Sequence, residues 1–234
     1  VFEIQILTLF PEVLVPFLSA SLLGKGAEKG ILKFGLTQIR DFATDRHRTV
    51  DDTPYGGGPG MVLRADVLHA AWKSVAGDLE NPRTVLLSPQ GKRFDHTLAR
   101  EWAKSERPLI LVCGHYEGVD ERFVELCVDE EVSIGDYVLT GGELAAGVIA
   151  DACSRWVGGV VGQEASVSTD SLEGDLLKYP QYTRPRLFEG LEVPSVLLSG
   201  DHARISEWRQ VQSEGRTQLK RPDLWARRRK GMGS

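Results

Sequence analysis

The sequence predicts an α/β protein with a mostly parallel sheet, followed by a small helical C-terminal domain. Three observations carry this. Short apolar runs, one beginning near Thr84 and one spanning Pro108 to Val112, each last about five residues and end in small or Gly-bearing turns, the pattern of buried parallel strands with functional loops at their C-terminal ends. Segments with helical spacing alternate with these runs: Val67, Leu68, Ala71, Trp72 and Val75 form one, and Leu144, Val148, Ile149, Ala152 and Trp156 another. Alternation at this length builds a parallel sheet with helices on its faces. Beyond Gln163 the chain becomes small, polar and acidic, and then basic with helical spacing.

Taken in order, Phe2 to Leu9 alternates and predicts a first strand with Phe2, Ile4 and Ile6 on one face. Pro11 opens a helical region through Leu14, Phe17 and Leu18, with Gly24, Gly26 and Gly30 punctuating its end. Leu32, Phe34 and Leu36 predict a second strand. From Arg40 to Gly60 the chain is polar and Gly-rich, which predicts a long loop of the kind that is functional or disordered. After the helix at Val67–Val75 come a strand to Ser88, a helix carrying Leu98 and Trp102, a strand ending at Cys113, and the helix from Leu144. Gln163 to Asp175 has no aromatic residue and little to bury, and predicts a mobile linker. Ile205, Trp208, Val211 or Gln212, and Leu219 outline a long helix capped by Asp201, with a short helical tail after Pro222. The predicted division is 1–162, a linker at 163–175, and 176–234.

Composition narrows the function classes. Hydrophobic residues make up 41% and charged residues 26% of 234, which fits a soluble globular chain with a proper core. The apolar N-terminus is interrupted by Glu3, Gln5, Pro11, Glu12 and Pro16 and lacks a basic start, so neither a membrane span nor a signal peptide is expected. Cys113, Cys127 and Cys153 are odd in number and widely spaced, which predicts a reducing, cytoplasmic setting without structural zinc. The net charge of −5 conceals an asymmetry: from Asp201 onward nine Lys or Arg face four Asp or Glu. A basic appendage on an acidic body points to nucleic acid, with Arg204, Arg209, Arg216 and Lys220 as candidate phosphate contacts; a solvated helical tail explains the same charges.

Three stretches carry the candidate chemistry. Ser133-Ile-Gly-Asp-Tyr-Val-Leu-Thr-Gly-Gly-Glu143 combines bare backbone at Gly135, Gly141 and Gly142 with apolar walls at Ile134, Tyr137, Val138 and Leu139. Polar main chain between apolar walls suits an uncharged aromatic ring such as adenine. A Gly-bearing connection into a helix, with Glu143 in its first turn, is the plainer account. Leu86-Leu-Ser-Pro-Gln-Gly91 and Cys113-Gly-His-Tyr-Glu-Gly118 each follow a strand signal, and three such loops converging would make a pocket. Dinucleotide and P-loop signatures are missing: Lys29 stands where the third glycine after Gly24 and Gly26 belongs, and Gly91-Lys92 is followed by Arg93. An oxidoreductase or NTPase reading loses ground accordingly.

Together with Tyr55-Gly-Gly-Gly-Pro-Gly-Met61, these stretches resemble the bacterial tRNA (guanine-N1)-methyltransferase family, a branch of the knotted (SPOUT) methyltransferases, in family order and over essentially the whole chain. The resemblance implies a deep trefoil knot threaded through the Leu86–Gly91, Cys113–Gly118 and Ile134–Gly142 loops. It implies an S-adenosylmethionine pocket at Leu87, Ser88, Pro89, Gly114, Tyr116, Glu117, Gly118, Ile134, Gly135, Asp136, Tyr137, Val138, Leu139, Gly141 and Gly142. Asp170 matches the proposed general base for the guanine N1 proton, and Arg155 the residue near the methyl donor and guanine O6. Each also has an ordinary explanation, a solvated carboxylate and a cation at a helix C-terminus. Asp51 resembles the carboxylate that reads the guanosine before the target. Arg184, in the Tyr182-Thr-Arg-Pro185 run, counts with the substrate contacts. The glycines at Tyr55–Met61 are expected to help shape the cofactor and RNA site, and His115 receives no catalytic role. The family implies a homodimer whose site combines two subunits, tRNA as partner, and dependence on Mg²⁺, for which no dedicated cage is visible. Leu172, where an aromatic is common, and a short tail depart from the pattern. The rival reading is an RNA-binding protein that keeps the fold without catalysis; retention of Arg155 and Asp170 argues against it.

Overall fold

The computed structural model describes residues 1–105, 107–162 and 170–231, and the chain forms two compact units, Val1–Gly162 and Gln163–Ser234. The first contains β1 (Phe2–Thr8), α1 (Pro11–Leu18), α2 (Ser21–Glu28), β2 (Leu32–Gln38), β3 (Asp51–Asp52), β4 (Val62–Leu63), α3 (Ala65–Ala76), β5 (Arg83–Arg93), α4 (His96–Lys104), β6 (Leu109–Cys113), α5 (Glu121–Cys127), β7 (Glu130–Ser133) and α6 (Glu143–Ser154). Five strands form one sheet in the order β2-β1-β6-β5-β7, with each neighbouring pair parallel. β3 and β4 make a separate antiparallel pair.

The two-residue period of the strands divides the core in two. Ile4, Ile6, Val85, Leu87, Leu109, Leu111 and Cys113 join one apolar cluster with residues of α1, α2, α4 and α6, while Leu7, Leu86, Ile110 and Val112 join the other with residues of α3 and α5. Burial on both faces explains why the strands read as continuous apolar runs. Asp95 caps α4 by accepting from the Leu98 amide at 3.0 Å, and Asp120 caps α5 by accepting from the Arg122 amide at 3.0 Å.

Several local expectations need correction. Gly24 and Gly26 lie inside α2 and do not end it. A Cβ on Gly24 would strike the Ser19 carbonyl, and one on Gly26 would stand 2.7 Å from Leu32 Cδ1, so these glycines admit close packing; Gly30, at φ +68°, supplies the turn. β5 continues past Ser88: Val132 of β7 pairs with both Leu87 and Lys92, so the intervening residues bulge out of the ladder. The Arg40–Gly60 stretch is held together. Asp45 accepts from the His47 and Thr49 amides and the Thr49 hydroxyl, and the Arg40 guanidinium donates to the Arg48 carbonyl at 3.0 Å.

The second unit contains the hairpin β8 (Leu187–Phe188) and β9 (Leu191–Glu192), then α7 (His202–Lys220) and α8 (Pro222–Gly231). Asp201 caps α7 as expected, accepting from the amides of Ala203 and Arg204. The apolar residues outline the inner face of α7 only in part: Ile205, Trp208 and Gln212 are half-buried, Val211 is 58% and Leu219 82% exposed, and the fully buried residues are Ser213 and Thr217. Thr217 donates to the Ser213 carbonyl at 2.6 Å and accepts from the Leu177 amide at 2.8 Å, a contact that needs small polar residues. Of the expected mobile linker, residues 163–169 lie outside the described residues. Residues 170–175 belong to a hydrogen-bonded turn: the Leu172 amide donates to Leu176 at 2.7 Å, and Arg228 donates to the Gly174 carbonyl at 2.8 Å.

Candidate active site

In the first unit, the loops leaving β5, β6 and β7 surround a cavity of about 380 Å³. From the first come Leu87, Ser88 and Pro89, from the second Gly114 to Gly118, and from the third Ile134, Gly135, Tyr137, Val138, Leu139, Gly141 and Gly142. Loops collect here because parallel strands all finish at one edge. Asp136, grouped with these residues from the sequence, is exposed and does not line the cavity. Gln90, Glu121, Glu131 and Thr140 line it without having been singled out; single polar residues on strand, helix and loop carry no spacing pattern that marks them.

Backbone contacts lock the loops together. The Gly142 amide donates to the Gly114 carbonyl at 3.0 Å, and His115 and Gly141 form an isolated antiparallel bridge. On the other side the Glu117 amide donates to Met61 at 2.9 Å and the Leu63 amide to Gly118 at 3.0 Å. The Tyr55–Met61 glycines thus lead into the cavity wall, and a Cβ on Gly60 would run into the Glu117 side chain. Asp51, half-buried, sits one strand away, opposite Leu63 in the β3–β4 pair.

The glycines of the third loop line the cavity, and their missing side chains also make room for neighbouring protein. A Cβ on Gly141 would stand 2.7 Å from His115 Nδ1, and one on Gly142 would stand 2.6 Å from Cys113 Cα; the Tyr137 ring covers Gly135. Their bare backbone admits neighbouring protein. Gly118, at φ +135° with nothing within 4 Å of its Cβ position, is the cavity glycine that faces open space. Tyr116 holds φ +60° despite its side chain, a strained conformation of the kind that gathers at ligand sites.

Beneath the cavity, Glu143 begins α6 as a buried carboxylate and accepts from the Thr8 hydroxyl at 2.6 Å. Burial, then the nearby Glu143 charge, pushes the Cys113 thiol well above its ordinary range, so it stays protonated. His115 presents a buried Nδ1 without a hydrogen-bond partner, its ring edge-on to Tyr116 at 4.9 Å.

Arg155 is the C-cap of α6, whose N-cap is Gly142 at the cavity. The twelve residues of helix between the caps put it about 20 Å from that end, so the chain does not bring Arg155 to its own cavity. It shares one helix face with Leu144, Val148 and Asp151 at spacings of four, three and four residues. Leu144 is 63% and Val148 47% exposed. Asp170, in the second unit, pairs with Lys178 Nζ at 3.0 Å. In the same unit Arg184, Arg204, Arg209 and Lys220 are exposed and Arg216 is half-buried; the Arg209 guanidinium lies 4.8 Å above the Tyr179 ring.

Among the described residues no group of three or more His, Cys, Asp or Glu side chains could hold a metal ion, and no helix is long and apolar enough to cross a membrane.

Comparison with known proteins adds an independent line. The family described as tRNA (Guanine-1)-methyltransferase TrmD matches residues 2–227. A tRNA (guanine-N(1)-)-methyltransferase of Carboxydothermus hydrogenoformans is 53% identical over 222 residues, covering 95% of this chain and 87% of the relative. One from Bartonella tribocorum is 54% identical over 226 residues, covering 97% of this chain and 96% of the relative.

Proposed function

This chain belongs to the tRNA (guanine-1)-methyltransferase family, and we propose that it transfers the methyl group of S-adenosylmethionine to N1 of the guanosine 3′-adjacent to the anticodon, position 37 of tRNA. The observation that carries this reading is the cavity at the ends of β5, β6 and β7, in a chain matched by the family almost throughout.

The residues present fit S-adenosylmethionine. Tyr116, Tyr137, Val138 and Leu139 expose apolar surface around the cavity, which suits the faces of adenine. Glu117, Glu121 and Glu131 line the same space and complement a cationic sulfonium and ammonium. When bound, the cofactor supplies a methyl group already activated on sulfur. The protein's tasks are then in-line positioning and removal of the N1 proton. In this reading Asp170 accepts that proton, and Arg155 faces O6, where negative charge develops. Asp51 reads the preceding guanosine, and Arg184, Arg204, Arg209, Arg216 and Lys220 contact the RNA. Mg²⁺ finds no protein-only cage among the described residues.

A homodimer follows from the same reading. The exposed stripe of Leu144 and Val148 lies beside α1, where Phe17 approaches Gly147 and Val13, Val15 and Phe17 are also exposed. Apolar side chains on neighbouring helices favour a protein partner. A second copy covering this face would enclose Arg155 of the same stripe, so each site would draw on both subunits. The knot is supported by the close passage of Gly91 against the Glu131–Val132 backbone and of Gly142 against Cys113. A tRNA substrate and three free, buried cysteines suit the cytoplasm.

The deciding experiment incubates the protein with labelled S-adenosylmethionine and unmodified tRNA carrying a G-G step at the anticodon edge. Label on N1 of the second guanosine is expected. RNA binding without transfer would instead establish the non-catalytic rival.

A further inference from the structure

We propose that Lys178 is a positioning residue for Asp170, holding its carboxylate aimed before RNA arrives; this rests on the reading of Asp170 as general base. Lys178 Nζ stands 3.0 Å from Asp170 Oδ1, with the two side chains 22% and 31% exposed. Both ends are therefore partly withdrawn from water, unlike an exposed ion pair that solvent readily replaces.

The backbone explains why residues eight apart meet. The Leu172 amide donates to the Leu176 carbonyl at 2.7 Å, and the Lys178 amide to the Ser171 hydroxyl at 3.0 Å, which closes the segment into a loop. The Leu177 amide donates to Thr217 on α7 at 2.8 Å, so the loop is anchored beside Lys178. Nearby cations are directed elsewhere: Arg227 pairs with Asp175 at 3.3 Å, and Arg228 donates to the Gly174 carbonyl. Lys178 is thus a cation that this loop delivers to Asp170.

The chemistry follows from the charge. An adjacent ammonium favours the ionised carboxylate and lowers its proton affinity, so the gain Lys178 brings to proton abstraction is placement of the carboxylate. In the reaction the N1–H bond would break and an O–H bond form on Asp170; the electron pair left on N1 would form the new N–C bond as the methyl carbon's bond to sulfur breaks, its electron pair leaving on the neutral thioether. The protonated acid then sits beside a cation that disfavours it, which promotes proton release to water before the next turnover. Fixing the carboxylate also lowers the ordering required when RNA binds.

The test is single-turnover methylation of tRNA by Lys178→Met, which keeps an unbranched stem and removes the charge. A rate loss of about tenfold is expected, with S-adenosylmethionine binding unchanged, most of the rate retained in Lys178→Arg, and the acidic limb of the pH–rate profile moved to higher pH. In an Asp170→Asn background Lys178→Met should cost nothing further, because its partner charge is gone. A normal rate for Lys178→Met, or the same loss in the Asp170→Asn background, overturns the proposal. So does a weakened tRNA affinity with a flatter salt dependence, the mark of a phosphate contact. Lys178→Gln, checked by thermal melting, replaces Lys178→Met if that variant misfolds. Failure of the base reading looks different: Asp170→Asn alone would then keep the normal rate.

Discussion

The hydroxyl of Thr8 donates to the carboxylate of Glu143 across 2.6 Å at the joint between β1 and α6, with both side chains buried. Glu143 also fills the space above Gly141, so this hydrogen bond underpins the third loop of the cavity. Thr8→Val keeps the shape and leaves a buried carboxylate one partner short, a loss of about 1–3 kcal/mol. A lower melting temperature is expected, while Thr8→Ser should stay near normal. Equal stability of Thr8→Val and the parent would mean that Glu143 is satisfied by other groups.

Cofactor binding should need no RNA, because the cavity belongs wholly to the first unit. Gly118→Val is the variant to use, since Gly118 faces open space at φ +135°. A branched side chain there is strained by roughly 1–3 kcal/mol and enters the cavity, so calorimetry on RNA-free protein should find S-adenosylmethionine binding at least about tenfold weaker. Gly141→Val is less informative, because its side chain would collide with His115 and Glu143. Full-strength binding by folded Gly118→Val would remove this loop from the cofactor site.

The parallel sheet was legible because strands buried on both faces leave continuous apolar runs, as at Leu109–Cys113, and Asp201 marked the start of α7; Asp95 and Asp120 cap α4 and α5 in the same way without having been singled out. Glycine was the least legible residue. Gly24 and Gly26 meet Ser19 and Leu32 just outside their helix, and Gly91 and Gly142 meet the distant backbone of Glu131 and Cys113; only three-dimensional packing reveals which partner needs the space. The helix α7 was placed correctly and its inner face in part, since Ile205 and Trp208 are half-buried while Thr217 docks through a hydroxyl that carries no hydrophobic signal. At the site, the three loops stand out through their glycines, whereas Glu121 and Glu131 join the cavity through tertiary placement alone. The distance from Arg155 to the cavity follows from the length of α6, which no motif encodes.

Acid stability should report the Glu130 cluster. Burial pushes the Glu130 carboxyl up, but hydrogen bonds from Lys92 and Arg83 outweigh it and hold the group below its usual range. A depressed folded value means the stabilisation is present above the unfolded value of about 4.3 and fades as pH falls through the folded one. Urea unfolding of the parent should therefore weaken as pH drops from about 5 toward 3, and Glu130→Gln should show a shallower decline. Identical pH slopes would assign the acid sensitivity to other carboxylates.

The basic residues of the second unit should set the salt dependence of RNA binding. Arg204 and Lys220 project from α7 into solvent, and Arg209 rests over Tyr179. Losing one phosphate contact should flatten the log–log salt slope by roughly one unit. Single alanine variants of Arg204, Arg209, Arg216 and Lys220, titrated with tRNA over a range of salt, give the measurement. Four unchanged slopes would leave α7 with a role in assembly.

Arg155 poses the sharpest question, because it lies about 20 Å along α6 from the cavity it is proposed to serve. One chain cannot close that distance without dismantling a helix whose inner face is packed with Ala146, Ile149, Ala150 and Cys153. A second subunit can, if the exposed Leu144–Val148 stripe is the contact. Two measurements follow. Val148→Lys should weaken self-association and activity together, read by sedimentation and by methylation at matched concentrations. Mixing Arg155→Ala subunits with Asp170→Ala subunits should restore partial activity if each site takes these residues from different chains, once mass spectrometry has shown that heterodimers form. Heterodimers without recovery would mean that each site takes both residues from one chain. A fully active Val148→Lys monomer would mean that Arg155 acts neither across an interface nor near the methyl donor, and would return it to its ordinary role at the end of a helix.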